Sequence, residues 1–297
     1  MNPDCASEFP VIAHVPVLIN EHNSAFRIND FQQENPTYYA QNSFPDTRTR
    51  THAFPGLRKR MPLPPEYITA RNVFAKLKQL IIQRGKHAQV LILGGGIMGC
   101  ELRTIIETPE FECIETDVAI GPRTQLVVDA HDIPFADSTF DCVIAQAVLE
   151  HVADPYRCVS EIHRVLKPDG IVFAGTPFLQ PVHGGVYDFT RFTYRGHRRL
   201  FRNFKELESG AGGGPGYVLA FAYQHFMDQL FRNRGLRCMA NTFARATSFW
   251  MKYVDFLLLK SPGAYDSASS FYFIGQRSEQ ILSDRALTKE YPAHPPL

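Results

Sequence analysis

The stretch Val90–Gly99, VLILGGGIMG, restricts what this chain can fold into more than any other. Gln89–Leu93 is a continuous apolar run, as a central strand buried on both faces requires. It breaks into Gly94-Gly95-Gly96, a turn whose residues carry no Cβ and so let a ligand lie against the backbone. Ile97–Glu107 reads as the crossover helix, and the free amides at its start favour a negative group. Strands and helices alternate from here on. Further strands are read at Glu112–Val118, Gln125–Asp129, Phe140–Gln146, Ile171–Gly175, Lys205–Ser209 and Ser270–Gln276. Helices are read at Pro155–Leu166 and Thr193–Phe204.

This order predicts an α/β chain: a Rossmann-like open, mostly parallel seven-stranded sheet with helices on both faces. Between the second and third strands lies only AIGPRT, too short for a helical crossover, so the helix usual there is expected to be missing. Gly210–Gly216, GAGGGPG, reads as a flexible turn. Residues 217–259 then carry two aromatic-rich helical patterns, a helical insertion between the last two strands. Residues 1–65 read as an irregular, proline-punctuated N-terminal extension in which Phe9–Asn20 forms two short strands around a turn. An amphipathic helix follows over Glu66–Arg84, and 66–280 is read as the main domain. Residues 281–297 read as a C-terminal tail, whose end YPAHPPL is expected to be disordered.

Composition narrows the class of function. The net charge is +1, so bulk electrostatics favour neither nucleic acid nor a membrane surface. No uncharged apolar stretch approaches the roughly 20 residues of a spanning helix, and MNPDCASEFP does not read as a signal peptide. The six cysteines are scattered without a CxxC pair, which suggests a reducing, cytoplasmic setting. No His/Cys/carboxylate pattern in the sequence argues for a metal.

Asp117 ends the second strand and can accept bonds from both hydroxyls of a ribose. With Gly94-x-Gly96-x-x-Gly99 this fits a dinucleotide as well as any other nucleoside cofactor. The stretches downstream discriminate. Asp129-Ala130-x-x-Ile133-Pro134-Phe135, then Ser138-x-Phe140-Asp141-x-Val143, Leu149-Glu150-His151-Val152 and Arg164-Val165-Leu166-Lys167-Pro168-Asp169-Gly170 occur in order at consistent spacings. Over about residues 88–176 the chain resembles the class I S-adenosylmethionine-dependent methyltransferases, in particular the type 11 group that includes quinone C-methyltransferases. The resemblance implies S-adenosylmethionine as cofactor, with its carboxylate at the Gly94–Gly96 turn. It implies that Asp129 bonds the adenine amino group, that Ala130 and His131 border the ring, and that the Gln146 backbone lies near the methionine amino group. In two places the chain departs from the family. Asp169 stands where glycine is usual, and Ile92 stands where an acid usually helps to bind the cofactor's amino end, with Glu115 or Glu101 as candidates to compensate.

On the acceptor side, His183–Thr193, HGGVYDFTRFT, follows the fifth strand at the sheet edge where open α/β folds bind ligands. His183 is the candidate general base. His151, Tyr187, Asp188 and Arg191 are candidate substrate contacts, although Asp188 and Arg191 also suit a pair with each other. Arg195, Arg198, Arg199 and Arg202 suit either an acidic group of the substrate or a solvated helix face. Phe249, Trp250, Tyr253 and Phe256 suit a lid, a homodimer interface or plain core. Phe9-Pro10 and Val15-Pro16-Val17-Leu18-Ile19-Asn20 resemble the end of a Trm112-like zinc-ribbon domain, here a truncated remnant with Cys5 alone.

The expectation is a methyltransferase acting on oxygen or nitrogen of a small molecule, possible self-association through the aromatic helices included, with no nucleic-acid partner and no membrane segment. Two alternatives stand beside it: a non-catalytic cofactor- or partner-binding module, and an NAD(P)-dependent oxidoreductase.

Overall fold

The computed structural model describes residues 8–32, 63–85, 87–96 and 101–288. Its centre is a seven-stranded sheet. In chain order the strands are β3 (Ala88–Leu93), β4 (Phe111–Asp117), β5 (Leu126–Val127), β6 (Phe140–Gln146), β7 (Leu166–Pro177), β8 (Phe204–Gly213) and β9 (Ser270–Arg277). Their spatial order is β5-β4-β3-β6-β7-β9-β8, and only β9 runs antiparallel to its neighbours. The order reverses between β3 and β6, which places a crevice at the carboxyl ends of these strands.

Side-chain alternation in β3 explains the two layers around the sheet. Leu91 and Leu93 join Val143, Ala145, Val172 and Ala174 on one face, where α4 (Pro155–Val165) and α5 (Tyr194–Leu200) cover them. Val90 and Ile92 join Cys142, Ile144 and Phe173 on the other, beneath α2 (Pro65–Ile82). Asp154 caps α4 by accepting from the Arg157 N–H, and Pro155 opens the helix where no N–H is required. The bulge between α4 and the straight part of β7 puts Asp169 at φ +61°, a left-handed turn position that aspartate tolerates.

No helix joins β4 to β5, as the short AIGPRT connection predicts. The N-terminal segment takes that edge of the sheet instead. Its hairpin, β1 (Val11–Ile12) and β2 (Val15–Pro16), leads Val17 into a parallel bridge with Val127, and the Leu18 N–H donates to the Val127 carbonyl at 2.9 Å. Val15, Val17, Ile19, Phe26 and Phe31, the last on α1 (Ile28–Gln32), build a small core against Val127.

Three sequence expectations are corrected. Gly210–Gly213 is not a turn: it continues β8, held by the β9 ladder, and the chain turns only at Gly214. The insertion between β8 and β9 holds three helices, α6 (Pro215–Gln229), α7 (Arg234–Ser248) and α8 (Met251–Leu258), rather than two. Within the expected crossover helix only α3 (Arg103–Ile106) is helical among the described residues. Residues 97–100, with Gly99, lie outside the described residues, as do Cys5 and the tail from 289. A last short helix, α9 (Asp284–Leu287), precedes that tail. No helix among the described residues is long and apolar enough to cross a membrane.

Candidate functional site

A cavity of about 510 Å³ opens at the carboxyl ends of β3, β4 and β6. Gly94, Gly96, Asp117, Asp129, Ala130, His131 and Gln146 all line it, so the fold gathers residues that are far apart in sequence. Gly94 has φ +71°, and a Cβ there would meet the Val148 side chain at 2.5 Å. Gly95 is set back from the cavity, its N–H donating to the Thr116 carbonyl at 2.9 Å and locking the turn onto β4.

Asp117 occupies the middle of the cavity wall. Its carboxylate accepts from the Gly96 N–H at 2.9 Å and the Ala119 N–H at 3.0 Å. Burial pushes its pKa up in spite of these bonds. A half-buried carboxylate with acceptor capacity to spare is suited to take two hydroxyl donors from a ligand. Asp129 is more fully engaged. One oxygen accepts from the His131 N–H at 3.0 Å and from His131 Nδ1 at 2.6 Å, and the other accepts from the Ser24 hydroxyl. His131 Nε2 accepts the Asp154 N–H at 3.0 Å, which fixes the proton on Nδ1. Burial alone would raise the Asp129 pKa, but the His131 and Ser24 hydrogen bonds outweigh it and hold the group ionised. The Ser24-bound oxygen keeps one lone pair for a ligand donor such as an amino group.

Ile92 lines the cavity where the resemblance has an acid. Glu115 does not compensate, because its buried carboxylate takes a bidentate bond from Arg123. Neither it nor Glu101 lines the cavity.

The N-terminal segment contributes residues that sequence reasoning missed. Ser24 bonds Asp129, and Ala25 and Phe26 line the cavity. Phe26 stacks on Tyr187 from the loop after β7, with ring centres 5.4 Å apart. Asn20 and Asn23 both donate to Asp132 at 2.8 Å and anchor the segment. Nothing in the polar run EHNSAF signals this role, because it arises only when the segment closes the sheet edge.

A smaller cavity of about 210 Å³ shares Gln146 and Ala147 with the first and extends over Glu66, Glu150, Phe173, Gln180, His183 and Tyr272. His183 therefore faces this second space, whereas His151 and Tyr187 face the larger one. Asp188 and Arg191 line neither. Arg191 Nη2 donates to Asp188 at 2.7 Å, and Asp188 accepts from the His183 N–H at 2.8 Å, so the pair shapes the loop that carries His183. Burial opposes ionisation of Asp188, but Arg191 and the loop amides hold its pKa well below the usual carboxylate range. The Glu150 carboxylate beside His183 raises the imidazole's pKa.

The arginines on α5 and just after it point elsewhere. Arg198 pairs with Glu206 at 2.7 Å, Arg202 donates to the Leu282 carbonyl, and Arg195 donates to the Leu287 carbonyl. These three fasten the C-terminal segment and β8, Arg199 stays exposed over the Tyr156 ring, and none of the four lines either cavity. On the insertion, Trp250, Phe249 and Leu257 are exposed on the outer side of α8 or just before it.

Residues 112–174 match the family profile of a methyltransferase domain. A ubiquinone/menaquinone biosynthesis C-methyltransferase of Desulfotalea psychrophila is 33% identical over 112 residues, 37% of this chain and 44% of that protein. A mitochondrial arginine hydroxylase of Rattus norvegicus is 43% identical over 65 residues, 22% of this chain and 18% of that protein. The chain thus spans less than half the length of these curated relatives. Among solved structures, the phosphoethanolamine N-methyltransferase 2 of Haemonchus contortus, in complex with S-adenosyl-L-methionine, superposes with a TM-score of 0.45 at 15% identity. That superposition covers 69% of this chain and 53% of the other. The [4+2]-cyclase SpnF superposes with a TM-score of 0.43 at 17% identity, covering 70% and 80%. The segment that matches a methyltransferase domain thus lies within an open, mostly parallel α/β sheet.

Proposed function

We propose that the chain is an S-adenosylmethionine-dependent methyltransferase acting on a small molecule at oxygen or nitrogen. The observation that carries this is the convergence of Gly94, Gly96, Asp117, Asp129 and Gln146 on one cavity of a size suited to a nucleoside cofactor. Asp117 takes the ribose hydroxyls, Asp129 the adenine amino group, and Ala130 and His131 border the ring. When bound, S-adenosylmethionine supplies a methyl group on a sulfonium, which leaves as a neutral thioether. The protein's work is alignment: the walls hold the acceptor atom in line with that methyl group. The acceptor enters the smaller cavity beyond Gln146 and Ala147, where His183 is the side chain set against its reacting group. The small volume of this space supports a small acceptor or the end group of a longer one.

The exposed apolar residues of α6–α8, among them Leu219, Phe226, Met239 and Phe243, support association with a second copy, which sedimentation of the purified chain tests. Ile92 in the cavity favours a second reading, a module that binds the cofactor without transferring its methyl group.

Calorimetric titration with S-adenosylmethionine, S-adenosylhomocysteine and NADH tests the cofactor. Micromolar binding of the first two, abolished by Asp117→Ala and by Asp129→Ala, is the expected result. Binding of NADH alone overturns the reading and restores the oxidoreductase. Binding of S-adenosylmethionine without turnover of any hydroxyl or amine acceptor favours the module.

A further inference from the structure

Glu150 is fully buried, and neither of its carboxylate oxygens has a hydrogen-bond partner. Burying an ionised carboxylate this way is costly unless a cation or several donors meet it. What faces it is a pair of imidazoles. His151 Nε2 lies 3.7 Å and His183 Nε2 3.8 Å from Glu150 Oε1. The three ligand atoms all lie within 4.8 Å of one another.

The other ring nitrogens show how these imidazoles are oriented. His151 Nδ1 is 3.0 Å from the Tyr187 carbonyl oxygen. A carbonyl only accepts, so Nδ1 carries a proton, and Nε2 is the nitrogen turned toward Glu150. His183 Nδ1 has two acceptors nearby, the Pro181 carbonyl at 3.3 Å and Asp188 Oδ2 at 3.7 Å, with the Arg191 guanidinium at 3.4 Å. Its Nε2 is likewise turned to Glu150. Histidines that bind metals are oriented in this way, one nitrogen donating to a carbonyl or carboxylate and the other left for the ion.

A shared proton explains the spacing less well. An imidazolium–carboxylate hydrogen bond closes to about 2.7–2.9 Å, whereas both gaps are near 3.7 Å. Metal–ligand bonds of about 2.0–2.2 Å place neighbouring ligand atoms about 3–3.5 Å apart. The two gaps to Glu150 reach that with shifts of a few tenths of an ångström, and the loop that carries His183 brings the imidazole nitrogens, now within 4.8 Å of each other, the rest of the way. Gly184 is part of the same arrangement. A Cβ there would lie 2.4 Å from His151 Cε1 and Nδ1, so the loop that carries His183 comes this close to the His151 ring only through a glycine.

We propose that Glu150, His151 and His183 form a site for a divalent first-row transition-metal ion in the partition between the two cavities. Two imidazoles and one carboxylate suit zinc, manganese or ferrous iron and leave further positions open. Glu150 and His183 line the smaller cavity and His151 the larger one. The ion would therefore hold an oxygen of the acceptor, a hydroxyl or a carboxylate, at the boundary facing the cofactor. Resting on the methyltransferase reading, this gives His183 its part in activating the acceptor: it acts as a ligand of the ion, which lowers the pKa of a bound hydroxyl. No metal-binding pattern is visible in the sequence because helix α4 and strand β7 separate the residues of the site in the chain.

The test uses the untagged full chain, stripped with a chelator and titrated with Co²⁺ alone. Visible absorption and equilibrium dialysis report the ion, and calorimetry with S-adenosylmethionine runs in parallel. The expected result is one Co²⁺ per chain with ligand-field bands, and affinity about 100-fold weaker or worse in Glu150→Gln and in His183→Ala. Cofactor affinity should be unchanged in both variants. His183 is partly exposed, so its variant guards against a folding defect in Glu150→Gln. Binding that is absent from the wild-type chain, or equal in wild type and both variants, overturns the site. Loss of S-adenosylmethionine binding with intact Co²⁺ binding overturns the cofactor reading and leaves the metal site standing.

Discussion

His197 lies on α5 with 2% of its surface exposed, among the rings of Phe192, Phe201 and Phe273, and its Nε2 is buried without a hydrogen-bond partner. Burial disfavours the charged imidazolium and pushes its pKa from 6.5 down to about 3. In the unfolded chain the same imidazole titrates near its ordinary value. Between these two values the unfolded state binds a proton that the native state refuses. Stability is therefore full above the unfolded pKa and falls as the pH drops toward the folded one. At about pH 5 the shortfall is roughly one and a half pKa units, or about 2 kcal/mol. This is a large share of a typical folding free energy of about 5–15 kcal/mol. The perturbation is His197→Leu, a side chain of similar size that cannot titrate. Urea unfolding of both proteins at about pH 7.5 and about pH 5 measures the effect, because the other titrating groups are common to both. The variant should lose about 2 kcal/mol less than wild type over this interval. Equal losses, to within about 0.5 kcal/mol, would refute the reasoning and mean that the imidazole reaches solvent or a partner when protonated.

Other consequences follow for the cavity and its supports. Gly94→Ala combines a left-handed backbone with a contact onto Val148, and it should destabilise the chain by about 3 kcal/mol. Its titration should show cofactor affinity weakened at least about tenfold, and unchanged affinity would remove the turn from the binding site. Ser24→Ala deletes the bond that ties the N-terminal segment to Asp129, so limited proteolysis should cut that segment faster and cofactor affinity should fall severalfold. If neither changes, the segment does not close the cavity. Asp255 is buried and accepts the N–H groups of Gly214, Gly216 and Tyr217, fastening α8 to the start of α6. Asp255→Ala should cost about 3 kcal/mol in urea unfolding, since it leaves three buried donors unpaired, and a cost below about 1 kcal/mol would show that water replaces it.

Much of the sheet and part of the site could be read directly from the chain. The run at Val90–Leu93, the short link AIGPRT and the spaced stretches from Asp129 to Gly170 are local signals: burial on both faces, loop length and turn chemistry each leave a mark within a few residues. Their order implied the mostly parallel sheet, and the spatial strand order adds the reversal between β3 and β6, where the cavity collects Gly94, Asp117 and Asp129. Gly210–Gly213 was misread because glycine content signals a turn, whereas here pairing with β9 supplies the hydrogen bonds that make it a strand. Ser24, Phe26 and the grouping of Glu150 with His151 and His183 left no local mark. Each depends on chain segments that meet only after folding: the N-terminal segment on the edge of β5, and the loop after β7 against the end of β6. Sequence periodicity records which face of an element is buried. Which side chains from separate elements share a volume of a few hundred Å³, and which buried charge is left without a donor, is decided by tertiary packing alone.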